Sequence, residues 1–411
     1  MDKHGVGVAF ANRPDSFNAG QDVAKSALAN GGVKQPSLAL AFCSARTNSL
    51  EFFQGIRSVI GDAPPIIGGA AAGIITATFL DYSQYPCGAA IFDRTVLEAK
   101  TAFARGVDQD PRQTGVELSQ QLVADRSSKA VLLFYESIQV PLCGQSPPVI
   151  VPSCALLEGF SRHQGQFPPI FGAGLLGDYS FQQSQQFCGS SVERLAASAT
   201  LLMGEFEVHS TITHGCSLLD GIYRVITKLD GPVLYELDGN SAVGTINELY
   251  GGTEWQAEHP VGMLTIGLNQ GHRYAPFDEQ NYVNRLISGV LPDRSGVLFF
   301  ETGPCLGNEI QFLHRDPAKM VESARQNAQM LLDTVQLAGA RPFFALYVDC
   351  AGRTAMSSRT RTEEAAEIQA LMVANGIPLL GMYSGVELAP IRGETRGLDW
   401  TGVLMLFTKQ S

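Results

Sequence analysis

Charge is scarce in this chain: 17% of its 411 residues are Asp, Glu, Lys or Arg, and the acids outnumber the bases 40 to 29, giving a formal net charge of -11. No Lys/Arg cluster offsets that balance. Binding to a phosphate backbone draws on counterion release at a basic surface, so nucleic acid is excluded as a partner class. Long apolar runs are missing as well. Nowhere do about 18 apolar residues follow one another, and Met1 to Asn12 carries neither a basic stretch nor an apolar one of leader length. Membrane insertion and export are therefore not expected, and the cytoplasm is the expected compartment. The eight cysteines, Cys43, Cys87, Cys143, Cys154, Cys188, Cys216, Cys305 and Cys350, include no Cys-x-x-Cys pair and no zinc-like spacing. They suit reduced thiols packed as small hydrophobes.

Catalytic signatures are absent too. There is no phosphate loop of the Gly-x-x-x-x-Gly-Lys-Ser/Thr type, no Gly-x-Ser-x-Gly elbow and no His-Glu-x-x-His helix. No two of the histidines (His4, His163, His209, His214, His259, His272, His314) stand at helical i, i+4 spacing, so no multi-histidine metal site is readable. Gly172-Ala-Gly174-Leu-Leu-Gly177 fits the dinucleotide pattern in letters only. The segment after it, Asp178 to Gln186, lacks the apolar stripe of the helix that such a loop must open.

Glycine, with 43 residues, and hydrophobic residues, at 45%, are plentiful instead. The chain is long enough for more than one core and reads as globular α/β material with many tight turns. Its main feature is an internal repeat. The apolar run Ser37 to Phe42 leads to Cys43, Arg46, a helical segment Ser49 to Ile60, and then Pro64-Pro65-Ile66-Ile67-Gly68-Gly69 with Gly73. Lys129 to Tyr135 is the second apolar run, followed after an insert by Pro168-Pro169-Ile170-Phe171-Gly172. Pro342 to Val348 is the third, followed by Cys350, Arg353, a helix, and Ile377-Pro378-Leu379-Leu380-Gly381. Each unit reads strand, helix, strand, with the strands buried on both faces. The fold class is thus α/β: repeated strand-helix-strand units forming sheets flanked by helices, in two packed subdomains, 1–212 and 213–411.

Two helices carry their own punctuation. Asp316 caps one, with Pro317 in its first turn and Gly339 past its end near Leu337. Thr362 caps the other, with Glu363 and Glu364 in the first turn and Asn375-Gly376 as the stop. The glycine-ended loops are expected to gather at one sheet edge, where free backbone N–H groups with Arg46, Arg353 and Glu387 hold a zwitterion or carboxylate.

Thr213-His214-Gly215, Leu234 to Gly239, Asp349-Cys350-Ala351-Gly352-Arg353 and Ile377 to Gly381 with Gly385-Val386-Glu387 together resemble the FIST C-terminal domain. Asn18-Ala19-Gly20 and Ile67-Gly68-Gly69 with Gly73 resemble its N-terminal partner. One departure is the loop Gly68-Gly69-Ala70-Ala71-Ala72-Gly73, where many relatives place a Ser after the first glycine. The resemblance implies a bacterial sensory module without chemistry of its own, binding an amino acid or similar carboxylate and, with no output domain after Ser411, signalling to a separate histidine kinase or cyclic-nucleotide enzyme. The ligand-binding residues expected from their places in the repeat are Cys43, Arg46, Gly68, Gly69, Gly73, Cys350, Arg353, Gly381 and Glu387. The chain also resembles a subgroup of haem-based nitric-oxide sensors, for which His214 is the expected axial ligand and His209 the reserve. A cysteine-dependent enzyme using Cys43 beside Arg46, or Cys350 beside Arg353, is the remaining alternative.

Overall fold

The computed structural model describes residues 5–143, 148–161, 167–358 and 360–410. His4 and His163 lie outside them. Three equivalent units make up most of the chain. The first runs β1 (Val6–Asn12), α1 (Ser16–Gly31), β2 (Pro36–Cys43), α2 (Ser49–Ile60), β3 (Ile66–Ala70), the short pair β4 (Ile74–Thr76) and β5 (Leu80–Asp81), and β6 (Pro86–Asp93). The second follows the same plan with β7 (Glu98–Arg105), α3 (Pro111–Gln121), β8 (Ser128–Glu136), α4 (Ser153–Ser161), β9 (Ile170–Leu175), the pair β10 (Gln186–Gly189) and β11 (Ser191–Glu193), and β12 (Ala196–Met203). The third has β13 (Glu207–Thr213), α5 (Pro317–Leu337), β14 (Ala340–Cys350), α6 (Glu364–Ala374), β15 (Leu379–Ser384), the pair β16 (Val386–Ile391) and β17 (Glu394–Leu398), and β18 (Gly402–Gln410).

Within each unit the two strands joined by a crossover helix pair in parallel, β2 with β3, β8 with β9 and β14 with β15. Each sheet is then completed by a hairpin from another unit. The first takes β10-β11 from the second unit, the second takes β16-β17 from the third, and the third takes β4-β5 from the first. The exchange closes into a ring.

Side-chain alternation along the middle strands explains the layering. In β2, Leu38, Leu40 and Phe42 enter a core shared by all three sheets, together with Leu132 and Phe134 of β8 and Phe344, Leu346 and Val348 of β14. Ala39, Ala41 and Cys43 point the other way, under α1 and α2. Phe42 meets Phe134 edge-on at 5.4 Å, and Phe92 meets Phe344 at 4.9 Å, so aromatic pairs lock unit to unit.

Residues 216–315 interrupt the third unit between β13 and α5. They form a separate sheet of nine strands with the short helix Ala242–Tyr250 and a fully buried Trp255 whose indole N–H donates to Asn247 Oδ1 at 2.9 Å. Residue 213 ends β13, just before this insertion.

The α/β class and the strand-helix-strand repeat hold. The helix over Pro317–Leu337 is capped by Asp316, whose carboxylate accepts from the Ala318 N–H at 2.9 Å. The other helix needs a correction. Its cap position is Glu363, not Thr362, and Glu363 makes no capping bond because its Oε2 instead accepts from the Ala355 N–H at 2.6 Å.

Candidate functional site

The loops that follow β3, β9 and β15 do converge, through backbone bonds that run from unit to unit. Ala45 N–H donates to Gly177 O at 3.1 Å, Tyr383 N–H to Gly73 O at 3.1 Å, and Gly385 N–H to Gly174 O at 2.9 Å. These bonds use the very groups that an anion would need. Gly68 and Gly381 serve strand packing: a Cβ on Gly68 would stand 2.2 Å from Ala41 O and one on Gly381 2.7 Å from Tyr347 O. Gly69 is packed against Gln185 O, and Gly73 against Tyr82 and Tyr383.

Cys43 and Cys350 occupy equivalent places at the ends of β2 and β14, and Glu136 holds that place in β8. The arginines that follow the two cysteines have opposite fates. Arg46 is exposed. Arg353 is fully buried, 3.1 Å from Asp349 and 3.2 Å from Glu364, and donates to Trp400 O at 2.8 Å. Burial opposes its charge, but Glu364 and then Asp349 outweigh that and hold it protonated. Glu387 is buried as well, accepting from Ser384 Oγ at 2.8 Å, and burial raises its carboxyl well above the usual range.

Burial pushes the Cys43 thiol up to about 12 and raises that of Cys350 well above the usual thiol value, with Glu387 adding to the second. A nucleophile needs the thiolate, and these environments withhold it. Under native conditions iodoacetamide is expected to label the exposed Cys143 and Cys305 and spare Cys43 and Cys350, as read by peptide mass mapping. Labelling of Cys350 at the rate of Cys305 would contradict the assignment.

His214 is fully buried. Its Nδ1 accepts from the Cys216 N–H at 3.0 Å, and its Nε2 lies 3.2 Å from Glu279 O. Both ring nitrogens are taken, so this residue does not fit an axial haem ligand. His209 is half-buried on β13, opposite Leu406. Among the described residues no group of three or more His, Cys, Asp or Glu side chains is arranged to hold a metal ion.

A groove lies elsewhere. About 1200 Å³ in volume, it runs between the insertion and the second unit, walled by α4 with Phe167 to Ile170, by the β16-β17 hairpin, and by Tyr223, Asn269, Arg285 and Gly303. None of the nine residues singled out from sequence lines it.

Arg285, 4% exposed, lies in its floor, with Nη1 donating to Asn284 O at 2.8 Å and to Gly397 O at 2.9 Å. Its Nε has no partner, and it makes no ion pair among the described residues. Two buried carboxyls lie behind it. Glu301 Oε1 accepts from the Ser153 N–H at 3.2 Å, and Asp399 Oδ2 from the Leu286 N–H at 3.0 Å. Their other oxygens, the Tyr135 hydroxyl and the Ser153 hydroxyl are buried without a hydrogen-bond partner.

Burial raises Glu301 to about 8 and Asp399 to about 6, against the pull of Arg285. Unsatisfied buried polar atoms cost about 1–3 kcal/mol each, and of the residues that carry these five Arg285 lines the groove while the others lie behind it. Sequence reasoning missed these residues because they come from distant segments. The usable signal was the stretch around 216–315 that no repeat matches.

No described helix is long and apolar enough to cross a membrane. Among curated proteins the chain is similar to an uncharacterized protein of Mycobacterium tuberculosis, 25% identical over 199 residues, or 48% of this chain and 50% of that protein. It is also similar to one of Mycobacterium bovis, 26% identical over 197 residues, or 48% and 49%. The chain thus spans about half the length of these relatives. Among solved structures, PurLQS of Thermotoga maritima aligns at 7% identity and a TM-score of 0.21, covering 99% of this chain and 73% of that one. PurL of T. maritima complexed with ATP aligns at 9% and 0.22, covering 98% and 71%. Both scores are too low to carry an argument. Family models are decisive where these are not: residues 37–240 match the FIST N domain and 242–390 the FIST C domain, and the chain belongs to the FIST family of sensory domains implicated in signal transduction.

Proposed function

We propose that this protein is a sensory module that binds a small carboxylate-bearing ligand, an amino acid or a related acid, in the groove between the insertion and the second unit. The observation that carries the reading is Arg285, a buried guanidinium without an ion pair in the groove floor. A guanidinium so placed has lost water without gaining a direct ion pair among the described residues, and a carboxylate supplies both the contact charge and hydrogen bonds. The insertion forms one wall and the repeat units the other, so an occupant touches both and biases their relative position. That bias is what a separate signalling partner, a histidine kinase or cyclic-nucleotide enzyme, would read. The haem-sensor alternative draws no support from His214, whose nitrogens are engaged.

A thermal-shift screen of amino acids and small carboxylates, followed by titration calorimetry, tests the reading. Arg285→Ala is expected to weaken the best ligand roughly ten- to hundredfold, the loss of a charge-assisted hydrogen bond worth about 1.5–3 kcal/mol. Arg46→Ala is expected to leave affinity unchanged. The reverse pattern would return the site to the strand ends.

A further inference from the structure

Resting on the groove reading, we infer that this site takes up a carboxylate together with a proton, stored on the Glu301 and Asp399 carboxyl pair behind Arg285. The two acids arrive from different parts of the chain, Glu301 just after the insertion strand Val297–Phe299 and Asp399 between β17 and β18. Each has one oxygen on a backbone N–H and the other buried and unpartnered. The groups that face them are Arg285 from the insertion, Tyr135 from β8 and Cys154 from α4, with Glu387 of β16 and Cys350 at the end of β14 beside Asp399. Arg285 is the one cation in that set. Two ionised carboxylates against a single guanidinium leave a buried negative charge uncompensated, so one carboxyl keeps its proton.

With Glu301 raised to about 8 and Asp399 to about 6, the empty site at pH 7 holds a neutral Glu301 and an ionised Asp399 that Arg285 balances. A carboxylate arriving at Arg285 brings a second negative charge into the same water-poor place. Protonation of the free Asp399 oxygen removes that excess charge. A zwitterion carries its own cation and needs no proton. The sign follows from linkage: binding that consumes a proton strengthens as pH falls, so Kd for a simple carboxylate rises about tenfold per pH unit above roughly pH 6 and levels off below it, where Asp399 is already protonated.

Calorimetry of the intact chain at pH 7 with acetate as probe, in PIPES, imidazole and Tris, decides the matter. The heat is expected to track buffer ionisation enthalpy with a slope of about one proton taken up per acetate, whereas glycine gives a slope near zero. Asp399→Asn should abolish the acetate slope and flatten the pH dependence of Kd. Where that variant does not fold, Glu301→Gln, which replaces an acid already neutral at pH 7, should leave the slope of about one proton per acetate in place, and loss of the slope in that variant would overturn the assignment of the proton to Asp399. Acetate binding with buffer-independent heat overturns the proton linkage alone, as does glycine binding without acetate binding. Absence of heat from both probes overturns the groove reading and the linkage with it.

Discussion

Arg353→Ala is expected to destabilise the protein by about 3–5 kcal/mol, because it leaves Asp349 and Glu364 buried with no counter-charge. A urea titration followed by tryptophan fluorescence would read the loss. Trp400 is a suitable reporter, since it packs against Gly352 and under the Arg315 guanidinium at 3.5 Å. Replacing all three polar residues together, Arg353→Met with Asp349→Asn and Glu364→Gln, should recover much of the deficit, since no charge is then stranded. Arg46→Ala, at the equivalent but exposed place, should cost no more than about 0.5 kcal/mol. A stable Arg353→Ala protein that no longer binds ligand would make this arginine a recognition residue and defeat the structural role.

Gly172→Ala carries the other large effect. The φ of Gly172 is 147°, and an added Cβ would lie 1.8 Å from Leu133 O, backbone of the neighbouring strand that cannot step aside. Strain of about 1–3 kcal/mol from the backbone alone, plus the clash, puts the expected loss at about 4 kcal/mol or more. Gly106 has a positive φ of 81° with nothing within 4 Å, so Gly106→Ala isolates the dihedral penalty and should cost about 1–2 kcal/mol. Equal losses at the two sites in thermal melts would show that the close strand approach is unimportant.

These residues also show how far the sequence could be read. The runs Ser37 to Phe42, Lys129 to Tyr135 and Pro342 to Val348 are buried on both faces, so they announce their strands without help from neighbours. Asp316-Pro317 announces its helix through local hydrogen bonding. Thr362 misled because Glu363, which takes the cap position beside it, is spent on Ala355, a tertiary contact that no local rule contains. The glycines signalled a special backbone, as expected, but the reason is a neighbouring strand rather than a ligand. Arg285, Glu301 and Asp399 come together only through the insertion, so nothing in their local spacing marks them as partners. The exchanged hairpins escaped notice for a similar reason: β4, β10 and β16 each find their partner in another unit.

That exchange bears on how the chain matures at the ribosome. The first unit cannot finish its sheet until residues 186–193 have emerged, and the second must wait for residues 386–398. The third, made last, needs residues 74–81, made near the beginning. No unit can therefore complete its sheet from its own strands, and the second sheet keeps an open edge until the hairpin 386–398 is released. Such an order of events favours slow, all-at-once consolidation and a dependence on holding factors while the polypeptide is still being made.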